Sequence, residues 1–208
     1  MSCMTLSNGI CRGCKDNVGG IKKAYFIDVC EVDAMGAFTV DNTNNGVITD
    51  YATSASWYSF IPSKHTGNYV ETINVSQENG TVYYNGVLTL NYTKAEQSKI
   101  NTIIEMAKGE LAMIFLDEND KYWWLGGIKY TESYSGSPLT ISRTVNADST
   151  NGCVIGGTSF QTGTAMADAN GGSLTFTCDM GKPAIEVVPG QSSQIKTDLA
   201  TADTACSC

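Results

Sequence analysis

The sequence predicts a mainly β chain, a β-sandwich or barrel with one flanking α-helix. Three observations carry this. Short segments rich in Thr, Val and Tyr recur along the chain, glycine punctuates them, and only 92–109, "YTKAEQSKINTIIEMAKG", has helical spacing instead. The 21 glycines against 4 prolines in 208 residues suit a turn-rich β protein with a full core. One β domain over 1–188 is expected, followed by a polar C-terminal arm over 189–208.

The strand signals, in order, are "AYFIDVCEV" (24–32), "YVETINV" (69–75), "TVYYNGVLTLNY" (81–92) and "LAMIFL" (111–116). "KYWWLGG" (121–127), "LTISRTV" (139–145), "SLTFTC" (173–178) and "AIEVV" (184–188) complete the set. Asn-Gly pairs begin at Asn8, Asn45, Asn79, Asn85, Asn151 and Asn170, and this dipeptide tolerates the positive φ of tight hairpin turns. "DENDK" at 117–121 reads as a solvated hairpin connection. The helix, about 93–108, is expected to start on a capping box of Thr93 and Glu96. Its apolar stripe is Ile100, Ile103, Ile104 and Ala107, running on to Leu111, and Gly109 is its left-handed stop. Residues 41–68 are polar and weakly patterned, so they read as one long loop with an outward role. Its aromatic points are Tyr51, Trp57, Tyr58 and Phe60.

Charge narrows the function classes. The formal net charge of −8 argues against a nucleic-acid-binding module, because phosphates need a basic patch. Lys22, Lys23, Lys121 and Lys129 are the candidates for a local one. No run approaches the roughly 18–20 apolar residues of a membrane helix, and the start does not read as a secretory signal. Synthesis and first folding in a cytoplasm are therefore expected. In that setting the eight cysteines read as free thiols or metal ligands, and Cys30 and Cys178, in apolar strands, read as small core residues.

The catalytic inventory is sparse. His65 is the single histidine and has no nucleophile frame around it. No phosphate-binding loop, dinucleotide fingerprint or zinc-protease motif is present. Cys11 and Cys14, with Cys206 and Cys208 at the other end, have the residue types for a Cys₄ zinc site, although unligated thiols are the simpler reading. No enzyme activity, cofactor or metal is expected. Trp123 and Trp124 are adjacent in a strand and face opposite ways, so one enters the core and the other reaches the far face. Together with Tyr51, Trp57, Tyr58 and Phe60 they are the candidate oligomer-interface residues, since aromatic side chains dominate interface hot spots. A sheet covered on both faces by its own chain is the competing reading of the Trp pair.

Three blocks carry a resemblance: "CRGCKDNVGGIKKAYFIDV" (11–29), "ENGTVYYNGVLTLNYTKAEQSKINTIIEMAKGELAMIFLDENDKYWWLGG" (78–127) and "GTAMADANGGSLTFTCDMGKPAIEV" (163–187). They resemble virion structural proteins of tailed phages of Bacteroides-type gut bacteria (crAss-like or related), and the architecture resembles the tail-tube family. The resemblance implies a homo-oligomeric ring, typically a hexamer, in a tail tube or a neck or tail ring. Its partners would be other copies and other virion tail or neck proteins, and DNA would pass through an acidic channel as non-specific cargo. No catalytic residues carry over, and the many cysteines depart from the pattern. A capsid decoration or head-fibre protein is an alternative. So is a receptor- or carbohydrate-binding β-sandwich that stacks sugars on Tyr51, Trp57, Tyr58, Trp123 and Trp124. A zinc- or thiol-dependent enzyme using Cys11 and Cys14 is the remaining one.

Overall fold

Every residue of Leu111–Leu116 is buried, although successive side chains of a strand point to opposite faces. Such a strand needs cover on both sides, and this requirement organises the molecule into three layers. The computed structural model describes residues 18–43, 46–63, 66–94, 96–135, 140–162 and 170–205.

The strands are β1 (Ile21–Asp28), β2 (Phe38–Asp41), β3 (Val47–Tyr51), β4 (Tyr58–Phe60), β5 (Asn68–Ser76), β6 (Thr81–Thr93) and β7 (Leu111–Asp117). They continue as β8 (Tyr122–Leu125), β9 (Ile128–Ser135), β10 (Thr140–Ala147), β11 (Val154–Gln161), β12 (Gly171–Met180) and β13 (Ile185–Val187). The helices are α1 (Val29–Val32), α2 (Gln97–Met106) and α3 (Gln194–Ala205).

The central layer is a seven-stranded sheet in the order β2-β3-β13-β8-β7-β1-β4. A four-stranded sheet, β11-β12-β6-β5, packs on one face. Leu88, Leu90, Leu174 and Phe176 from this outer sheet meet Phe26, Met113, Phe115 and Leu125 from the central one. The other face is covered by α3 and the β9–β10 hairpin, where Ile195, Leu199, Ala202, Tyr130 and Val145 pack on Tyr25, Ile114 and Trp124. The chain is thus a mainly β sandwich with a flanking helix, as the sequence predicts.

Several local expectations are corrected. The segment 41–68 is not one loop: β3 lies inside the central sheet between β2 and β13, and β4 pairs with β1. The strand expected over 24–32 stops at Asp28, whose side chain accepts a hydrogen bond from the Cys30 amide and caps α1. Cys30 is therefore exposed, not a core residue. Cys178 is in the core but is not a free thiol. Pairing of Val154 with Thr177 sets the preceding Cys153 opposite Cys178, and the two form a disulfide with Cα atoms 4.3 Å apart.

The tail beyond 189 is not a free arm across 194–205, because α3 buries Ile195, Leu199 and Ala202 in the core. In α2 the capping box does not form. Thr93 is held in the sheet opposite Gly171, and the N-cap is Glu96 without a side-chain cap. The buried stripe moves toward Ile103 and Met106, which pack on the core between the two sheets, while Ile104 is half exposed. Gly109 does not take positive φ. The helix closes through the Ala107 amide on the Ile103 carbonyl.

"DENDK" does close the β7–β8 hairpin. Asp117 Oδ1 accepts from the amides of Asn119 and Lys121, and Asp120 has φ 62°.

Candidate functional site

Two features stand out from the frame, and both belong to β5, a strand that leaves the sandwich. Alternate residues of β5, namely Tyr69, Glu71, Ile73 and Val75, pair with Leu88, Gly86, Tyr84 and Val82 of β6. Leu88 is fully buried, so this whole row faces the central sheet. β12 stops supporting β6 at the pair Met180–Tyr84. Beyond that point β5 and β6 continue as a two-stranded hairpin, turned at Gly80 with φ 63°. Its inward row keeps an apolar pattern with nothing beneath it: Ile73 is 59% exposed, Val75 62% and Val82 50%.

The four-stranded sheet also has two open edges. Among the described residues β5 pairs only with β6, and β11 only with β12. β5 presents Val70 and β11 presents Val154 and Phe160 as further exposed apolar side chains. Unpaired N–H and C=O groups along an exposed strand are a template for another strand. The outer edges of the central sheet, β2 and β4, have only four and three residues.

Where the β5 row crosses the rim of the central sheet it roofs a cleft of about 650 Å³ that is open to solvent. Tyr69 and Phe115 stack with ring centroids 4.9 Å apart, and the half-buried Trp123 forms a wall. Glu71 Oε2 accepts from the Tyr69 hydroxyl and the Ala184 amide, each at 2.8 Å. Burial, then the Glu71 carboxylate, raise the Tyr69 phenol, so it stays a donor. Asp117 and Asn68 add polar atoms. Asn119 clips Val18 across the rim with two hydrogen bonds of 2.9 Å, one to the Val18 amide and one to its carbonyl.

The residues expected at an oligomer interface separate. Tyr51, Trp57 and Trp124 are buried in the chain's own core, which corrects their assignment to an outer surface. Trp124 is edge-to-face with Trp57, Tyr51 and Phe38, and the Trp57 indole donates to the Tyr51 hydroxyl. The Tyr51 hydroxyl in turn donates to Asp198 Oδ2 at 2.7 Å. Tyr58 is exposed, and Phe60 and Trp123 are half-buried. The Trp pair divides between the two faces as the strand alternation predicts, but both faces are covered by this chain. Cys11, Cys14, His65, Cys206 and Cys208 lie outside the described residues. Among the described residues no group of three or more His, Cys, Asp or Glu side chains is arranged to hold a metal ion. No described helix is long and apolar enough to cross a membrane.

Three of the four lysines considered for a basic patch are paired with acids: Lys22 with Asp120 at 2.6 Å, Lys23 with Asp203 at 2.7 Å and Lys121 with Glu186 at 2.8 Å. Tyr69, Glu71 and the overhanging apolar row were not singled out from the sequence, where "YVETINV" shows only alternation. The signal that was present is the length of β6, 13 residues against the 10 of its neighbour β12. In comparisons with known proteins, no family model, no curated protein and no solved structure matches the chain.

Proposed function

We propose that this chain is a structural virion protein that assembles with copies of itself into a ring or tube, in a phage tail or neck. The observation that carries the proposal is the four-stranded outer sheet, open on both sides, with a different strand at each edge. If β11 of one copy lies along β5 of the next, the ladder continues and both open edges are satisfied. Because the two edges differ, the contact is heterologous, and repetition yields a closed ring or an open stack. The overhanging residues Ile73, Val75 and Val82 would then find the cover that their own chain does not supply. Such a wall would carry the chain's net charge of −8, so DNA would pass without adhering. On this reading the protein is not an enzyme and takes no cofactor. It is made in the host cytoplasm, resides in the virion, and has as partners its own copies and adjoining tail or neck proteins.

The test is light scattering after size exclusion, with negative-stain images of the same fractions, for the wild type and for Val75→Asp/Phe160→Asp. The wild type is expected to form rings or tubes with a channel of duplex-DNA width, and the double variant to run as a folded monomer. A strictly monomeric wild type across protein concentration and salt would reject self-assembly and favour a capsid decoration that docks on another protein. Assembly that survives both substitutions would place the interface elsewhere.

A further inference from the structure

We infer that the cleft beneath β5 is a binding site for a neutral oligosaccharide, a role separate from self-assembly. Its volume of about 650 Å³ falls within the roughly 300–1,000 Å³ of small-molecule sites and has room for about two or three hexose rings. Its chemistry matches a ligand that is apolar on its ring faces and polar around its rim. The half-buried side chains of Trp123 and Tyr69 offer flat surfaces for sugar C–H faces, and Phe115, buried behind Tyr69, backs the second of them. Hydroxyl groups of a sugar need acceptors and a few donors, and these are present in Glu71, Asp117 and Asn119.

The polar groups are held in place before any ligand arrives. Glu71 Oε2 is fixed by Tyr69 and Ala184, which leaves Oε1 with no protein donor among the described residues. Asp117 Oδ1 is held by two backbone amides of its own turn, which sets the plane of its carboxylate beside the Trp123 indole. Such preorganisation lowers the ordering cost of binding. The lining has two carboxylates and no Lys or Arg, so anionic ligands such as phosphates and acidic sugars are disfavoured. Gly19, Gly20 and Gly67 are also among the lining residues.

Trp123 supplies its own reporter. The other two tryptophans, Trp57 and Trp124, are buried on the opposite side of the central sheet, so a change of emission on titration reads the cleft. The experiment titrates the full chain, in whatever assembly state it adopts, with neutral di- and trisaccharides of glucose, galactose, mannose and N-acetylglucosamine. Emission and calorimetry are followed in parallel. At least one sugar is expected to bind at millimolar or lower concentration with a blue shift of emission. Trp123→Ala should weaken that sugar about tenfold by ligand-observed NMR, the loss of one stacking face. Glu71→Gln keeps an oxygen for Tyr69 and Ala184 and replaces the open acceptor Oε1 by a donor, so it should keep the fold and still weaken binding. If no sugar in the panel binds, or if only cationic amines bind, the inference is overturned. Binding that is indifferent to both substitutions also overturns it. None of these outcomes depends on whether the chain forms rings.

Discussion

Among the described residues, Asp198 is the one acidic side chain placed deep in the core, 5% exposed, and it has no ion-pair partner there. Four hydrogen bonds replace a counter-ion: from the hydroxyls of Tyr51 and Ser54, the Ala55 amide and the Gln194 side chain, at 2.7–2.9 Å. Burial alone would raise the carboxyl pKa, but the donated hydrogen bonds outweigh it and hold the group below its ordinary value. The same contacts pin residues 51–55 to α3, and through Tyr51 they orient Trp57. Replacing Asp198 by Ala strands several buried donors and should cost about 3 kcal/mol, a fall in melting temperature of about 10 °C for a chain of this size. The pH dependence follows from a depressed folded pKa. The charged form contributes its stability above the ordinary value of 3.8, and this is lost as pH falls through the lower folded value. Urea midpoints of the wild type and Asp198→Asn should therefore differ most near neutral pH and converge as pH falls below 3.8. A gap that stays constant as pH falls below 3.8 would mean that Asp198 titrates in the folded protein as it does in the unfolded chain.

At the scale of elements, legibility in the sequence tracks how strongly one physical signal dominates. "LAMIFL" and "TVYYNGVLTLNY" are legible because a buried run and a long alternating strand have few other solutions. "VITDY" is not, since its five residues mix one acid and a Thr with the apolar residues, yet Val47, Ile48 and Tyr51 are buried in β3. α3 is hidden for a related reason: Thr, Asp and Ala dominate "QIKTDLATADTA", and only Ile195, Leu199 and Ala202 mark its inner face. The cleft is not legible in the sequence because, although Phe115 and Trp123 face each other across the β7–β8 hairpin, Tyr69 reaches them only through packing of one sheet on the other. The disulfide belongs to this scale as well. It ties the start of β11 to β12 across 25 residues and sits beside the bridge between Cys153 and Leu111 of the central sheet. A crosslink closing a loop of that size is worth about 3 kcal/mol. Reductant should lower the wild-type melting temperature by several degrees and leave Cys153→Ala/Cys178→Ala, already destabilised, unchanged. A reductant effect of the same size in the double variant would trace it to the other cysteines instead.

At the scale of the whole molecule, the proposed self-association would have to overcome electrostatics. Each copy carries a formal −8, and three of the four lysines considered for a basic patch are already paired within the chain, so copies would repel at long range. The contacts offered for assembly are of another kind, namely backbone ladders along β5 and β11 and the apolar side chains Ile73, Val75, Val82 and Phe160. Salt acts on these two contributions differently. The Debye length shrinks from about 10 Å at 0.1 M to about 3 Å at 1 M, which removes the repulsion and leaves short-range apolar and hydrogen-bonded contacts in place. The assembled fraction measured by sedimentation velocity should therefore rise as salt increases from about 0.05 M to about 0.5 M. The dependence should steepen in a variant that adds acid on the other side of the central sheet, such as Lys196→Glu on α3. Assemblies that dissociate as salt rises would be held by ion pairs between copies, and the open strand edges would then not be the surfaces that join them.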